Sequence, residues 1–143
     1  MKHLVLSLVM VSAVFGYCGR AGAETLTVKV SGLHGKTGVV RVMLWKEPAG
    51  FPTQPEQAVA QKSVAVSGSE AELVFSGLTR GTYAAAGYVD ENSNGKLDRS
   101  VLGWPVEPIA ASNGARGLIG PPSFADAAFE LKQATQIIRL VFK

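Results

Sequence analysis

Gly77-Leu78-Thr79-Arg80-Gly81-Thr82-Tyr83-Ala84-Ala85-Ala86-Gly87-Tyr88-Val89 reads as a turn feeding a strand, and it decides the fold. Gly81 supplies the positive φ that such a turn demands, and Tyr83 opens the strand. Tyr83, Ala85, Gly87 and Val89 fall on one face, with Ala84, Ala86 and Tyr88 on the other. So many small residues suit a central strand closely approached by an opposing sheet.

The same period of two recurs on both sides of this stretch. Leu26, Val28 and Val30 alternate with Thr27 and Lys29, and Val39 to Trp45 sets Val40, Val42 and Leu44 on one face. Pro48, Gly50, Pro52 and Pro55 make Lys46 to Gln57 a long loop. Ala58 to Val66 is open between a helical turn begun by Pro55-Glu56 and a strand favoured by Val64-Ala65-Val66. Glu70 to Phe75 directs Ala71, Leu73 and Phe75 inward. Phe129 and Leu131 mark another strand, and in the last one Ile138, Leu140 and Phe142 stand opposite Ile137, Arg139 and Val141. These segments predict an all-β fold, an antiparallel two-sheet β-sandwich of about seven strands. Between them runs an irregular stretch, Asp90 to Ala125. Loops beyond about 15 residues are uncommon and are usually functional or disordered. Trp104, Ile109, Leu118, Ile119 and Phe124 make this one too apolar for disorder. It is expected to be an ordered loop over one end of the sandwich and to carry the working surface.

The first 23 residues stand apart. Met1-Lys2-His3 is a short basic start, Leu4 to Phe15 is almost wholly apolar, and Ala21-Gly22-Ala23 has the small-x-small pattern of a signal-peptidase site. The expectation is a signal peptide over 1–23, a single β-sandwich domain over 24–143, and a periplasmic or secreted location. The apolar run falls short of the roughly 20 residues of a transmembrane segment. Cys18, the single cysteine, is a poor lipidation site because bulky Tyr17 precedes it. Of the 143 residues, 120 then remain, with 12 basic side chains against 11 acidic. No basic run survives to engage a phosphate backbone, so nucleic acid is not an expected partner.

Asp90-Glu91-Asn92-Ser93-Asn94-Gly95-Lys96-Leu97-Asp98 is the stretch that carries chemistry. Oxygen side chains stand at relative positions 1, 3, 5 and 9, and glycine stands at 6. Calcium takes six to eight hard oxygen ligands from such a loop, with a sharp turn at position 6 and a backbone carbonyl at 7. Asp90, Asn92, Asn94, the carbonyl of Lys96, and Asp98 are the expected ligands. Val101 occupies position 12, so the usual bidentate glutamate is missing, and Glu107 is placed to fold back in its stead. Two carboxylates and two amides predict weak affinity, on the order of 10⁻⁵ to 10⁻³ M. The competing reading is an Asn-Gly turn held by local side-chain hydrogen bonds.

Catalytic machinery is scarce. His34, the one histidine after the leader, lies in a Gly-flanked turn, no serine sits in Gly-x-Ser-x-Gly, and no cysteine nucleophile remains. The protein is therefore read as a binding or structural envelope module, not an enzyme, whose partner is an envelope protein or a glycan. The alternative is a small metal-dependent hydrolase using Asp90, Asp98 and Glu107. A carboxylate pair of Glu107 and Asp126 has no local support as a glycosidase site. Ser123 is expected to cap a helical turn through Asp126, and both Trp45 and Trp104 are expected to be buried.

In several stretches the chain resembles the exported bacterial proteins grouped as domain of unknown function 2141. They are Gly77 to Ala84, Asp90 to Asp98, Leu102-Gly103-Trp104-Pro105-Val106-Glu107, Ser112-Asn113, and Gly120-Pro121-Pro122-Ser123-Phe124-Ala125-Asp126-Ala127-Ala128-Phe129. The resemblance spans roughly Leu26 to Phe142 and implies an exported β-sandwich without established activity. The Leu78-x-x-Gly81-x-Tyr83 turn is also similar to that of transthyretin-like sandwich domains. Two departures stand out. Val89 replaces a histidine that commonly precedes the first aspartate, and Ala110-Ala111 replaces an aromatic-containing segment.

Overall fold

The computed structural model describes residues 22–143; the expected signal peptide, with Cys18, lies outside the described residues except for Gly22 and Ala23. Eight strands form two sheets packed face to face: β1 (Glu24–Ser31), β2 (Val39–Trp45), β3 (Ala60–Ala65), β4 (Glu70–Leu78), β5 (Gly81–Asp90), β6 (Ile109–Ala111), β7 (Ala128–Leu131) and β8 (Thr135–Val141). The smaller sheet runs β4-β1-β8. The larger runs β3-β2-β5-β6, with β7 also paired to β5. The two-sheet sandwich read from the alternation is thus the observed fold. The ambiguous Ala58–Val66 segment resolves into a 3-10 turn at Pro55–Gln57 followed by β3.

Between the sheets lies a continuous apolar layer. Leu26, Val28 and Val30 of β1 meet Val40, Val42 and Leu44 of β2, with Leu73, Phe75, Tyr83 and Leu140 from the flanking strands. These are the positions that the period of two assigns inward. Tyr83 is buried there, and its hydroxyl donates to the Thr79 carbonyl at 2.8 Å, fastening the turn that precedes its own strand. This is the local logic of a tyrosine corner.

Two features depart from expectation. β8 pairs with β1 in parallel, Val28 opposite Ile138, whereas an antiparallel sandwich was predicted. β4 already occupies the other edge of β1, so the chain returning from β7 joins the remaining edge and arrives running in the direction of β1. Parallel neighbours need a long connection, and here almost the whole described chain supplies it.

The second departure concerns the long loop, which covers the outer face of the larger sheet and not an end. Met43, Trp45, Ala84, Ala86 and Tyr88 on that face form a second apolar cluster with Ala111 and Ala127, joined by Phe51, Leu97 and Phe124. Phe51 packs edge-on against both Trp45 and Phe124, with ring centroids 5.3 and 5.7 Å apart. The reason is visible in β2 and β5: both carry apolar side chains on their outer faces, and those need a cover.

β5 is consequently buried on both faces, and its free edge is shared. Residues 86–88 pair with β6 and residues 81–84 with β7, leaving Ala85 between the two. The Ser112 hydroxyl fills the break. It accepts from the Ala85 N–H at 3.0 Å, faces the Ala85 carbonyl at 3.2 Å, and also reaches the Ala127 carbonyl. Asn113, at φ 59°, donates its side-chain amide to the carbonyls of Ala128 at 2.7 Å and Asp126 at 3.2 Å. A four-residue helix, α1 (Phe124–Ala127), leads into β7, and the Ser123 hydroxyl caps it by accepting from the Asp126 N–H, as the spacing predicted.

Ser112→Ala removes the partner of two backbone groups at a site with no solvent access. Unsatisfied buried groups cost about 1–3 kcal/mol each, so a loss of about 2–4 kcal/mol is expected by urea unfolding with an unchanged m-value. Ser123→Ala, at an exposed cap, should lose only about 1 kcal/mol. Equal losses would contradict this account of the β5 edge.

Candidate functional site

Asp90 ends β5 opposite Val39 and has no exposure to solvent. Its Oδ2 accepts from Arg41 Nε at 2.8 Å and from the Gly95 N–H at 2.9 Å, and its Oδ1 from the Asn94 N–H at 3.0 Å. Burial alone raises the Asp90 pKa. The Arg41 hydrogen bond, the N–H groups of Gly95 and Asn94, and the Arg41 charge outweigh it and hold the carboxyl below its ordinary range. Gly95, at φ 81°, makes the expected turn. Its carbonyl accepts from the Tyr88 hydroxyl at 3.2 Å, and burial pushes that phenol's pKa up, so it remains a donor.

The other expected ligands bond to one another. Asp98 accepts from Asn92 Nδ2 at 2.6 Å and from Asn94 Nδ2 at 2.9 Å. Asn92 Oδ1 accepts from the Asn94 N–H at 3.2 Å, and Asn94 Oδ1 from the Lys96 N–H at 2.9 Å. Asp90, Asn92, Asn94, Lys96 and Asp98 thus belong to one hydrogen-bonded loop. Glu107 does fold back, but its two oxygens accept from the N–H groups of Glu91 at 2.9 Å and Asp98 at 3.0 Å. Among the described residues no three His, Cys, Asp or Glu side chains gather closely enough to hold a metal. A cation on this loop therefore depends on the two asparagine oxygens, has to displace the amides from Asp98, and meets an Asp90 already paired with Arg41. Oxygen donors of this kind are those a hard cation would use.

Beyond Asp98 the chain makes a small hairpin. Arg99 bridges to Pro105, the Ser100 N–H donates to Trp104 at 2.8 Å, and the Gly103 N–H closes the turn on Ser100 at 2.9 Å. Val101 and Leu102 at its tip are exposed, and Trp104 is half exposed. Opposite stands a second loop, 114–122. An added Cβ on its Gly117 would lie 2.1 Å from the Gly120 carbonyl oxygen, so only glycine closes it this tightly. Leu118 and Ile119 at its crest are exposed.

Between these rims lies an open cleft of about 470 Å³ on the outer face of the larger sheet. Met43, Ala86, Tyr88 and Ala111 form its floor, and Leu102 and Trp104 face Ile119 across it. Arg99 and Arg116 are its charged lining residues; no carboxylate lines it among the described residues. Asp90, Asp98 and Glu107 do not reach it, and the first and last are buried with both oxygens engaged. His34 is exposed in its turn.

Sequence reasoning missed Arg41, Ser112, Arg99 and Arg116. Arg41 carried a signal as a lone cation inside the apolar run of β2, and Ser112 carried one only through the resemblance of Ser112-Asn113. Trp104 was expected to be buried and instead stands at the rim, because the hairpin carries it away from the sheet. Trp45 is fully buried, although its indole N–H finds no acceptor. Val89 points between the sheets and away from the loop; Ala110 packs against that same core, and Ala111 faces the cleft.

The depressed pKa of Asp90 gives a signed expectation. Its contribution to stability is complete above the ordinary carboxylate pKa and is lost as pH falls through the lower, folded value. In chelator, Asp90→Asn should lower stability at pH 7 and flatten its decline toward pH 2, measured by urea unfolding across that range. Parallel acid limbs in the two proteins would assign the decline to other groups.

No curated protein and no solved structure matches the chain. A family model described as an uncharacterized protein conserved in bacteria matches residues 28–139, from within β1 to within β8, and so takes in the acidic loop, both rims and Ser112-Asn113. On that match the chain belongs to the bacterial family named domain of unknown function 2141.

Proposed function

We propose that the protein is an exported small-ligand binding module of the bacterial envelope, working through the cleft on the outer face of its larger sheet. In this reading the loop Asp90–Asp98 is a weak calcium site that stiffens one rim. The observation that carries the reading is the exposure of Leu102, Trp104 and Ile119 around a concave floor. Contiguous apolar surface left open on a folded domain usually marks a place where something binds. The cleft volume of about 470 Å³ lies within the range of small-molecule sites, about 300–1,000 Å³. The expected envelope partner narrows accordingly from a protein or glycan to a small molecule with a large apolar part.

Export rests on the leader-like Met1–Ala23, and calcium on the way the loop is curled. The N–H groups of Asn94, Gly95 and Lys96 turn toward the side-chain oxygens of Asp90, Asn92 and Asn94, an arrangement that gathers oxygen around the loop as such sites require. The rim hairpin follows directly from Asp98, so an ion held there limits its motion. Chemistry at the cleft itself favours recognition over turnover: its lining offers two guanidinium groups and one phenol, and no general base.

Two measurements test this. Millimolar calcium should raise the thermal midpoint several degrees above that in chelator, with little effect of magnesium. Ligand at 100 times its dissociation constant adds about 2.7 kcal/mol. Asp98→Ala should abolish the rise; absence of a rise in the wild-type protein would retire calcium. Separately, uncharged N-phenylnaphthylamine should show a saturable fluorescence gain at one molecule per chain, weakened severalfold in Leu102→Ser/Ile119→Ser. Absence of saturable binding would retire the cleft.

A further inference from the structure

We infer that the ligand of the cleft is an anionic amphiphile, a single small molecule with an apolar body and a carboxylate or phosphate head. This rests on the cleft being a binding site and adds which chemistry it selects. Two observations carry it.

One is the distribution of charge. The ion pairs of the described residues are Lys29–Glu72, Arg41–Asp90 and Arg80–Glu24, and none involves the cleft. Arg99 and Arg116 line it without a carboxylate beside them, one from the hairpin and one from the opposite loop. Arg99 gives one Nη1 hydrogen bond to the Gly103 carbonyl at 3.0 Å, which steadies the guanidinium and leaves its remaining donors free. Guanidinium groups match carboxylates and phosphates in two-point fashion and do so best where apolar walls thin the water around them.

The other is the shape and polarity of the remainder. The small side chains of Ala86 and Ala111 keep the floor low beside Met43 and Tyr88, while Leu102, Trp104 and Ile119 stand up around it. A flat apolar trough bordered by large apolar side chains takes an extended or planar hydrocarbon body. Its polar complement is confined to Arg99, Arg116, Thr53 and the Tyr88 phenol. A cationic head finds no carboxylate among these residues and meets two like charges.

The experiment titrates the protein with dodecanoate and with dodecyltrimethylammonium, both kept below micelle formation, following tryptophan fluorescence. Trp45 is buried and Trp104 half exposed, so the change reports on the rim. Dodecanoate should bind saturably at one molecule per chain, at least tenfold tighter than the cationic amphiphile. Arg99→Gln/Arg116→Gln should erase that preference, and Arg116→Gln alone, which leaves the Arg99–Gly103 bond of the hairpin in place, should reduce it. Both arginines are exposed at the surface, so the variant is expected to fold. Equal affinity for the two heads, or a preference that survives the double substitution, would overturn the inference while leaving the cleft in place. Loss of binding by the uncharged probe would instead remove the cleft reading itself. Binding to phosphatidylglycerol vesicles without binding of monomeric dodecanoate would also overturn it, reassigning Leu102 and Ile119 to a membrane surface.

Discussion

Ser112 holds together a strand that would otherwise be broken. β5 is covered on both faces, so none of its peptide groups can turn to water, and its outer edge is divided between two short partners. Ala85 falls in the gap, and one hydroxyl serves both its N–H and its carbonyl. The consequences spread outward. β6 is fixed against residues 86–88, Asn113 ties the turn to α1 and β7, and the two ends of the long excursion that builds the cleft are brought to one place. Without that satisfaction the outer layer has no anchored edge, because its own side-chain packing is thin.

The same economy explains the carboxylates. Asp90 and Glu107, the two buried acids at the base of the excursion, serve the backbone: one closes the Asn94-Gly95 turn, and the other draws Glu91 and Asp98 together. Burying a carboxylate is costly unless donors surround it, and each here meets two N–H groups, with Arg41 added at Asp90. In the absence of disulfides, such buried acids take over the cross-linking. An ion on the loop would add to this framework and would not create it. The loop's own hydrogen bonds accordingly hold it without an ion.

Legibility followed the range of the interactions. Alternation in β1, β2, β4, β5 and β8 names which residues face the core, because burial on one face imposes a period of two wherever the strand lies. The turn before Tyr83, the cap at Ser123 and the Gly95 turn are equally local, and each was readable. The parallel pairing of β8 was not, since it depends on which edge of β1 is left open once every other strand is placed. β6 is three residues long and exists because Ser112 reaches Ala85, a contact between residues 27 apart that no local pattern announces. The acidic stretch displayed its donors but not their allegiance. That Asp90 pairs with Arg41 is decided by the register of β2 against β5.

The outer face of the larger sheet is finished in two different ways, and the contrast bears on function. Over Trp45 the chain closes completely: Phe51 packs edge-on against the indole and Phe124 edge-on against Phe51, and even an unpaired N–H is tolerated for the sake of that packing. Over Ala86 and Gly87 it does not close, although suitable side chains stand only a loop away. Gly87 adds only backbone to that floor, for a Cβ there would point between the sheets, 2.6 Å from the Arg41 carbonyl oxygen and 3.2 Å from Val42 Cγ2. Ala111, paired with Ala86 on the outer face, does have a choice. An aromatic at Ala111 would project from the outer face into the space between the rims. Small residues on the floor with Leu102, Trp104 and Ile119 held above it keep apolar area in contact with water at a cost of about 25 cal/mol per Å², an expense that folding alone does not require. On the function proposed above, the open half of this face is surface kept for a ligand, and Ala111 helps to set the depth of its floor.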